Sequence, residues 1–420
     1  MIRTGRIFGE IAPSKSPLNF MPTDIPSDTG PLWLRAVSRP GAIVFAIMFT
    51  LESFSRGLIA TLIPLQAYSL LHHARDVSIL YTVVGIVGLA SSFAIPFLIR
   101  RFRRRWVYTA GVVALLIAAL LLATATLMGQ IGAMLARAFG AAALNITLSL
   151  YVMDYIRRRD LVRSEPLKLM FSAAAWTVGP ALGVWLYANV GHGVAEFLSA
   201  GSCALLLVYF WYLRMSENPA VAAATRPPPN PIAAIRRFVA QPRLRLGWFV
   251  PFSRSCWWAM YFVYPPLFLV QAGKGEFAGA LLVSLGNAML FVTPLFGRLA
   301  QRTGIRRPII IGFIGLGTLT TAAGFMHEWP WIAAGTLLLG SAFCCLLDAF
   351  GNIPYMRSVR PLERPQMTTV FRTYIDLSDL APQAFYSVLL SFFDIRAVFF
   401  ACGLFMFIAA VVALKIPRKM

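Results

Sequence analysis

Acidic side chains are scarce in this chain. Only 17 aspartates and glutamates stand against 38 lysines and arginines, and charged residues of both signs fill just 13% of 420 positions. Hydrophobic residues make up 58% and mean hydropathy is +0.69, more apolar surface than a water-soluble domain can bury. Histidine is rare too. His72, His73, His192 and His327 fall in loops between apolar runs, with no nucleophile–base or metal spacing, which argues against an enzyme. The five cysteines (Cys203, Cys256, Cys344, Cys345, Cys402) all lie within apolar runs, so they read as buried free thiols, and no metal or cofactor is expected. Residues 1–39 are polar, rich in proline and serine, and lack an apolar signal core. They are expected to form a tail that is neither signal peptide nor span.

What the chain has in abundance is long apolar runs. A bilayer-crossing helix needs about 20 mostly apolar residues. Twelve such runs are expected, at 42–70, 77–99, 107–127, 129–153, 167–190 and 193–213, then 246–271, 276–297, 307–326, 329–353, 367–392 and 395–414. They are numbered spans 1 to 12 below. The expected layout is a tail (1–40), a six-helix half (41–214), a basic central loop (215–244), a second half (245–416) and a short tail (417–420).

The basic residues are unevenly placed. With both tails, the loops of one side hold 31 of the 38, and the other side holds Arg75, Lys274 and Arg396. The positive-inside rule then puts both termini in the cytoplasm, with anionic lipid rather than nucleic acid as neighbour of the excess charge. The two halves repeat at an offset near 202: Pro64 matches Pro266, Arg101 matches Arg302, Gly140 matches Gly340 and Pro180 matches Pro382. Such repeats place a binding site between the halves near the midplane.

The remaining four arginines lie inside spans: Arg56, Arg137, Arg254 and Arg372. Span 1 also carries Glu52, one helical turn from Arg56. A charge at the bilayer centre costs about 2.5–3.5 kcal/mol on insertion scales, so these residues are expected to face a bundle interior or a wet cavity. At the repeat offset Glu52 falls on Arg254, which suggests that the two approach each other across a central cavity.

After span 8 comes Gly297-Arg-Leu-Ala-Gln-Arg-Thr-Gly-Ile-Arg-Arg307, with Arg302 at its centre. This resembles the loop motif of the major facilitator superfamily, with Gln301 where an aspartate is usual. The first-half copy, 96–105, keeps Leu98, Arg101 and Arg105 and has Arg100 at the aspartate position. The resemblance implies a latch in which the loop arginine pairs with an acid at the inner end of span 4, here Asp154. It also implies that Arg100 faces span 11, where Asp376 and Asp379 stand ready to receive it.

Trp176-Thr-Val-Gly-Pro-Ala-Leu-Gly183 in span 5 resembles the Gly-Pro motif of the proton-coupled drug and metabolite exporters of that superfamily, through Gly179, Pro180 and Gly183. Arg137-Ala-Phe-Gly140 in span 4 partly matches a motif whose membrane-embedded arginine is implicated in proton transfer. The resemblance covers 41–416. It implies an all-α membrane protein of two pseudo-symmetric six-helix bundles, working as a monomer by alternating access, with spans 1, 4, 7 and 10 lining the cavity.

On these grounds Glu52 is the candidate proton carrier, with Arg137 and Arg56 as its partners. Arg254, Trp258 and Tyr261, at i, i+4 and i+7, share one face of span 7 and are candidate solute contacts. Asn145 and Asn352 are further polar candidates. Arg372, Asp376 and Asp379 read as gate residues, and Asp348 is expected to pair with Arg372. The leading expectation is proton-coupled export of a small organic or amphipathic solute from a bacterial inner membrane. A symporter or uniporter of a small, anionic metabolite, and a non-transporting membrane receptor on the same fold, are the alternatives.

Overall fold

The computed structural model describes residues 42–155, 158–213, 231–292, 305–359 and 364–417. Among these every regular element is a helix. Eight helices are long and apolar enough to cross a membrane by the strictest reading: spans 1, 2, 3, 4, 6, 9, 10 and 12. Spans 5 (Arg158–Asn189), 7 (Pro242–Gln271) and 11 (Arg364–Leu389) are equally long but carry charges and prolines. Span 8 is described only over Glu276–Ala288 and the following turn to Val292.

Span 1 is two helices, Ala42–Leu58 and Leu62–Leu71. Pro64 explains the break. Its ring opposes the carbonyl four residues earlier, at Ala60, and it offers no N–H in return. Span 10 breaks by the same logic. Pro330–Phe350 stops four residues before Pro354, and a short helix, Ile353–Ser358, follows.

The interrupted part of span 1 lies against span 5. Ser53 Oγ and Ser172 Oγ are 2.9 Å apart. A Cβ added at Gly179 would come within 2.7 Å of the Gly57 carbonyl carbon, and one at Gly183 would strike the Leu58 carbonyl oxygen. Both glycines therefore serve close backbone approach. Gly183→Ala is expected to lower stability by about 1–3 kcal/mol through overpacking, read as a lower melting temperature in detergent. Gly201→Ala, where the added methyl meets nothing within 4 Å, should leave it unchanged.

The span 5 helix runs through Pro180, but the Ala181 N–H beside it donates to Ser284 Oγ of span 8 at 2.9 Å. The Gly-Pro segment thus touches span 1 of its own half and span 8 of the other.

The end of the bundle carrying the 100–105 arginines is hereafter the basic end. At the opposite end the two halves are sealed by apolar packing. Ala67, Ala74 and Val77 of the first half are buried in one core with Tyr264, Leu267 and Phe268 of the second. Gln271 Nε2 donates to Tyr68 Oη at 3.1 Å, and Ser78 Oγ lies 2.8 Å from Tyr264 Oη, which donates to Gln383. Toward the basic end the halves are joined by polar contacts. Ser92 of span 2 donates to Asp376 of span 11 at 2.9 Å, and Arg372 reaches Asn145 and Ser149 of span 4.

One element escaped the sequence reading. The central connector holds a helix, Pro231–Ala240, with Phe238 buried and Ile235 and Val239 exposed. The apolar spacing of Ile235, Phe238 and Val239 was its only signal, obscured by the adjoining prolines.

Candidate functional site

Glu52 and Arg56 sit one turn apart on span 1, and Arg56 Nη1 bonds Glu52 Oε1 at 3.1 Å. The two ends of this pair live in different surroundings. The Glu52 side chain is 2% exposed and lies within the first half, close enough to Tyr108 and Cys203 for its charge to act on both. The Arg56 side chain is 27% exposed, with its guanidinium 5.9 Å from the Trp176 ring centre. The carboxylate therefore faces inward among spans 1, 3 and 6, and the guanidinium faces the seam between the halves.

Arg137 of span 4 is half-buried and its Nε has no hydrogen-bond partner among the described residues. It lies within electrostatic reach of Arg56, of Tyr81 on span 2 and of Asp379 on span 11. Asp379 is exposed although it stands mid-span, and it in turn feels Arg137, Asp376 and Arg56. An exposed carboxylate surrounded by charges from three other helix positions lines an internal cavity, because lipid tails offer it no solvation.

The second half holds its own charged pair. Arg254 Nη1 lies 3.0 Å from Asp348 Oδ1, and Trp258 Nε1 donates to Asp348 Oδ2 at 3.0 Å. The Arg254 guanidinium also bonds Ser255 Oγ at 3.1 Å and stands 5.9 Å from the Tyr374 ring centre. Both partners are largely buried, with 10% and 22% of their side chains exposed.

These contacts correct three expectations. Asp348 pairs with Arg254, not with Arg372, because Arg372 extends across the seam and donates to Asn145 Oδ1 at 2.8 Å. Glu52 and Arg254 do not form a pair across the cavity, since each is satisfied by a partner in its own half. Tyr261 meets Trp258 edge-on, 5.6 Å between ring centres, but is fully buried and so is not open to a solute. Its ring stacks on Trp257, 4.7 Å between centres, and its hydroxyl donates to the Leu282 carbonyl in a fully buried position.

Asn352 begins the short helix after the span 10 break, with its buried Oδ1 unbonded among described partners. Asp376 accepts from Ser92. Arg101 is exposed, whereas Arg104 folds inward, its guanidinium 5.2 Å from the Tyr151 ring centre on span 4. The side chains of Arg100 and Asp154, and all of Gly297 and Arg302, lie outside the described residues.

Four residues with no forecast role complete the arrangement: Tyr81, Ser92, Trp176 and Tyr374. Trp176 was legible as the residue opening the Gly-Pro segment. Tyr81, Ser92 and Tyr374 carry no local signal, because their partners come from other spans.

Two helical bundles that meet along a seam, each holding a charged pair of its own, have the architecture of a membrane transporter. The family follows from comparison with known proteins. The chain belongs to the major facilitator superfamily, whose sequence model matches residues 45–378, and it is therefore a multi-pass secondary transporter rather than an enzyme. Similar solved structures include a POT family transporter in complex with 5-aminolevulinic acid, at 13% identity over 91% of this chain and 96% of that one, with a TM-score of 0.74. A peptide transporter POT in complex with sulfate gives 13% identity, 92% and 98% coverage and a TM-score of 0.71. The nucleoside transporter NupG gives 14% identity, 89% and 98% coverage and a TM-score of 0.69. Comparison with curated protein sequences gives no match.

Proposed function

We propose that this protein is a proton-coupled exporter of a small organic or amphipathic solute, working by alternating access as a monomer in a bacterial inner membrane with its basic end in the cytoplasm. The observation that carries the reading is the split environment of the Glu52–Arg56 pair. A proton taken up by the buried carboxylate releases Arg56, whose guanidinium already reaches the seam near Trp176, Arg137 and Asp379. Arrival of a proton is thereby converted into a change of charge in the cavity.

The solute in this reading sits between Arg56 and Trp176 on one side and the Asp348–Trp258 edge of the second half on the other. Aromatic faces beside guanidinium groups suit a planar or amphipathic molecule. Asn145 and Arg372 close the basic end, Gly179, Pro180 and Gly183 provide the moving contact with span 1, and Tyr261 is left to packing. The latch roles of Arg100, Arg101, Asp154, Gly297 and Arg302 are retained from the superfamily resemblance, as is the placement of Asn352 near the cavity.

Symport of a small anionic metabolite is the second reading, supported by the guanidinium groups of Arg56 and Arg137, which lie near each other at the seam. The two readings separate in proteoliposomes loaded with a pH indicator and with one member of a panel of amphipathic cations, peptides and nucleosides. Export by antiport predicts that solute leaving the vesicles acidifies the lumen. Symport predicts alkalinisation. A solute gradient that dissipates without any pH change contradicts proton coupling.

A further inference from the structure

At the basic end an open groove of about 910 Å³ lies on the flank of the bundle, separate from the charged seam. Its size falls within the range of small-molecule and cofactor sites. Leu89 and Phe93 of span 2 form one wall. Val370 and Leu377 of span 11, Ile235 and Val239 of the connector helix, and Val412 at the end of span 12 form much of the rest. The rim carries Arg243, Arg245 and Lys415, all exposed, with no acidic residue in the lining among the described residues.

The dimensions match one leaflet. From Leu89 to Arg101 at the end of span 2 is twelve residues, about 18 Å of helix, against the roughly 15 Å of hydrocarbon that half a 30 Å bilayer core provides. The basic rim stands at headgroup level, since Arg243 and Arg245 lie in the first turn of span 7 and Lys415 just past the end of the span 12 helix, while the apolar walls run down beside the acyl chains. The short connector helix adds a further indication. It leaves Ile235 and Val239 uncovered on the groove side while burying Phe238 against the protein.

We propose that this groove seats one anionic phospholipid, its phosphate held by Arg243, Arg245 and Lys415 and an acyl chain lying between spans 2 and 11. The charge complementarity selects an anionic headgroup over a zwitterionic one. The seat also adjoins the joint between the halves. Ser92 and Asp376, which bond across that joint at 2.9 Å, are the immediate neighbours in sequence of the wall residues Phe93 and Leu377. An occupied groove thus favours the arrangement in which spans 2 and 11 are packed together.

The test is native mass spectrometry of the full chain released from vesicles of equal phosphatidylglycerol and phosphatidylcholine. The wild-type protein should retain phosphatidylglycerol about fivefold or more over phosphatidylcholine. The R243Q/R245Q/K415Q variant should fall to near parity, and glycerol phosphate without acyl chains should not compete. No preference in the wild type, an undiminished preference in the variant, or displacement by glycerol phosphate alone would each overturn the assignment. Should the triple variant not fold, phosphatidylglycerol with a photoreactive acyl chain supplies the second measurement on the wild-type protein. Adducts should map to segments holding Phe93, Val239, Val370 or Val412, and adducts confined to other spans would overturn it.

Discussion

Glu52→Gln is expected to reduce proton-driven solute transport by at least a hundredfold while changing solute affinity no more than about threefold. The glutamine keeps the shape of the side chain and an oxygen for Arg56 Nη1 to bond, at the site where the carboxylate bonds it at 3.1 Å. What it removes is the group that gains and loses the proton. Counterflow exchange of labelled for unlabelled solute, which needs no net proton movement, should survive in the same vesicles. Retention of gradient-driven transport would exclude Glu52 as carrier. Loss of counterflow together with gradient-driven transport would indicate that the pair serves only to hold span 1 in place.

The second large effect concerns stability. Asp348→Ala removes the partner of Arg254, which is 10% exposed, and the acceptor of Trp258 Nε1. Breaking a buried pair by deleting one member costs about 3–5 kcal/mol, because the surviving charge is left unsolvated. The variant should therefore melt well below the wild-type protein in detergent. Replacing both members, Arg254→Met with Asp348→Ala, should recover much of the loss, since an apolar substitute for a buried pair is often neutral. If the double variant is as unstable as the sum of the two single ones, the pair contributes no coupling and the two residues act separately.

Much of this arrangement was legible before any coordinates. Long apolar runs located the spans because hydrocarbon requires every backbone polar group to be satisfied within a helix. Gly179, Pro180 and Gly183 stood out as a motif, and the two glycines prove to lie against the end of the first helix of span 1. Pairing across helices was less accessible. Glu52 and Arg56 are four residues apart and declare themselves by helical spacing, whereas Arg254 and Asp348 are ninety-four apart and no local pattern joins them. The assignment of Arg372 to Asp348 failed for that reason, as two arginines and several acids on neighbouring spans offer more combinations than spacing can rank.

Tyr261 illustrates a different limit. Residues 254, 258 and 261 do fall on one side of an ideal helix. Span 7, however, is packed by other helices on several sides, so a shared face there does not mean a shared surface. Tyr261 is consumed by its stack on Trp257 and its bond to the Leu282 carbonyl.

Solvation of the charges at the seam requires a water-filled passage that is reached from the basic end when the Arg372–Asn145 contact parts, while the opposite end stays sealed. The direct measurement is cysteine labelling. The five native cysteines, all buried, are first replaced, and single cysteines are then introduced at Arg56, Arg137 and Asp379. In sealed vesicles of known orientation, a membrane-impermeant maleimide should label all three from the basic-end side. Labelling only by a lipid-soluble reagent, with no response to the impermeant one from either side, would contradict the account.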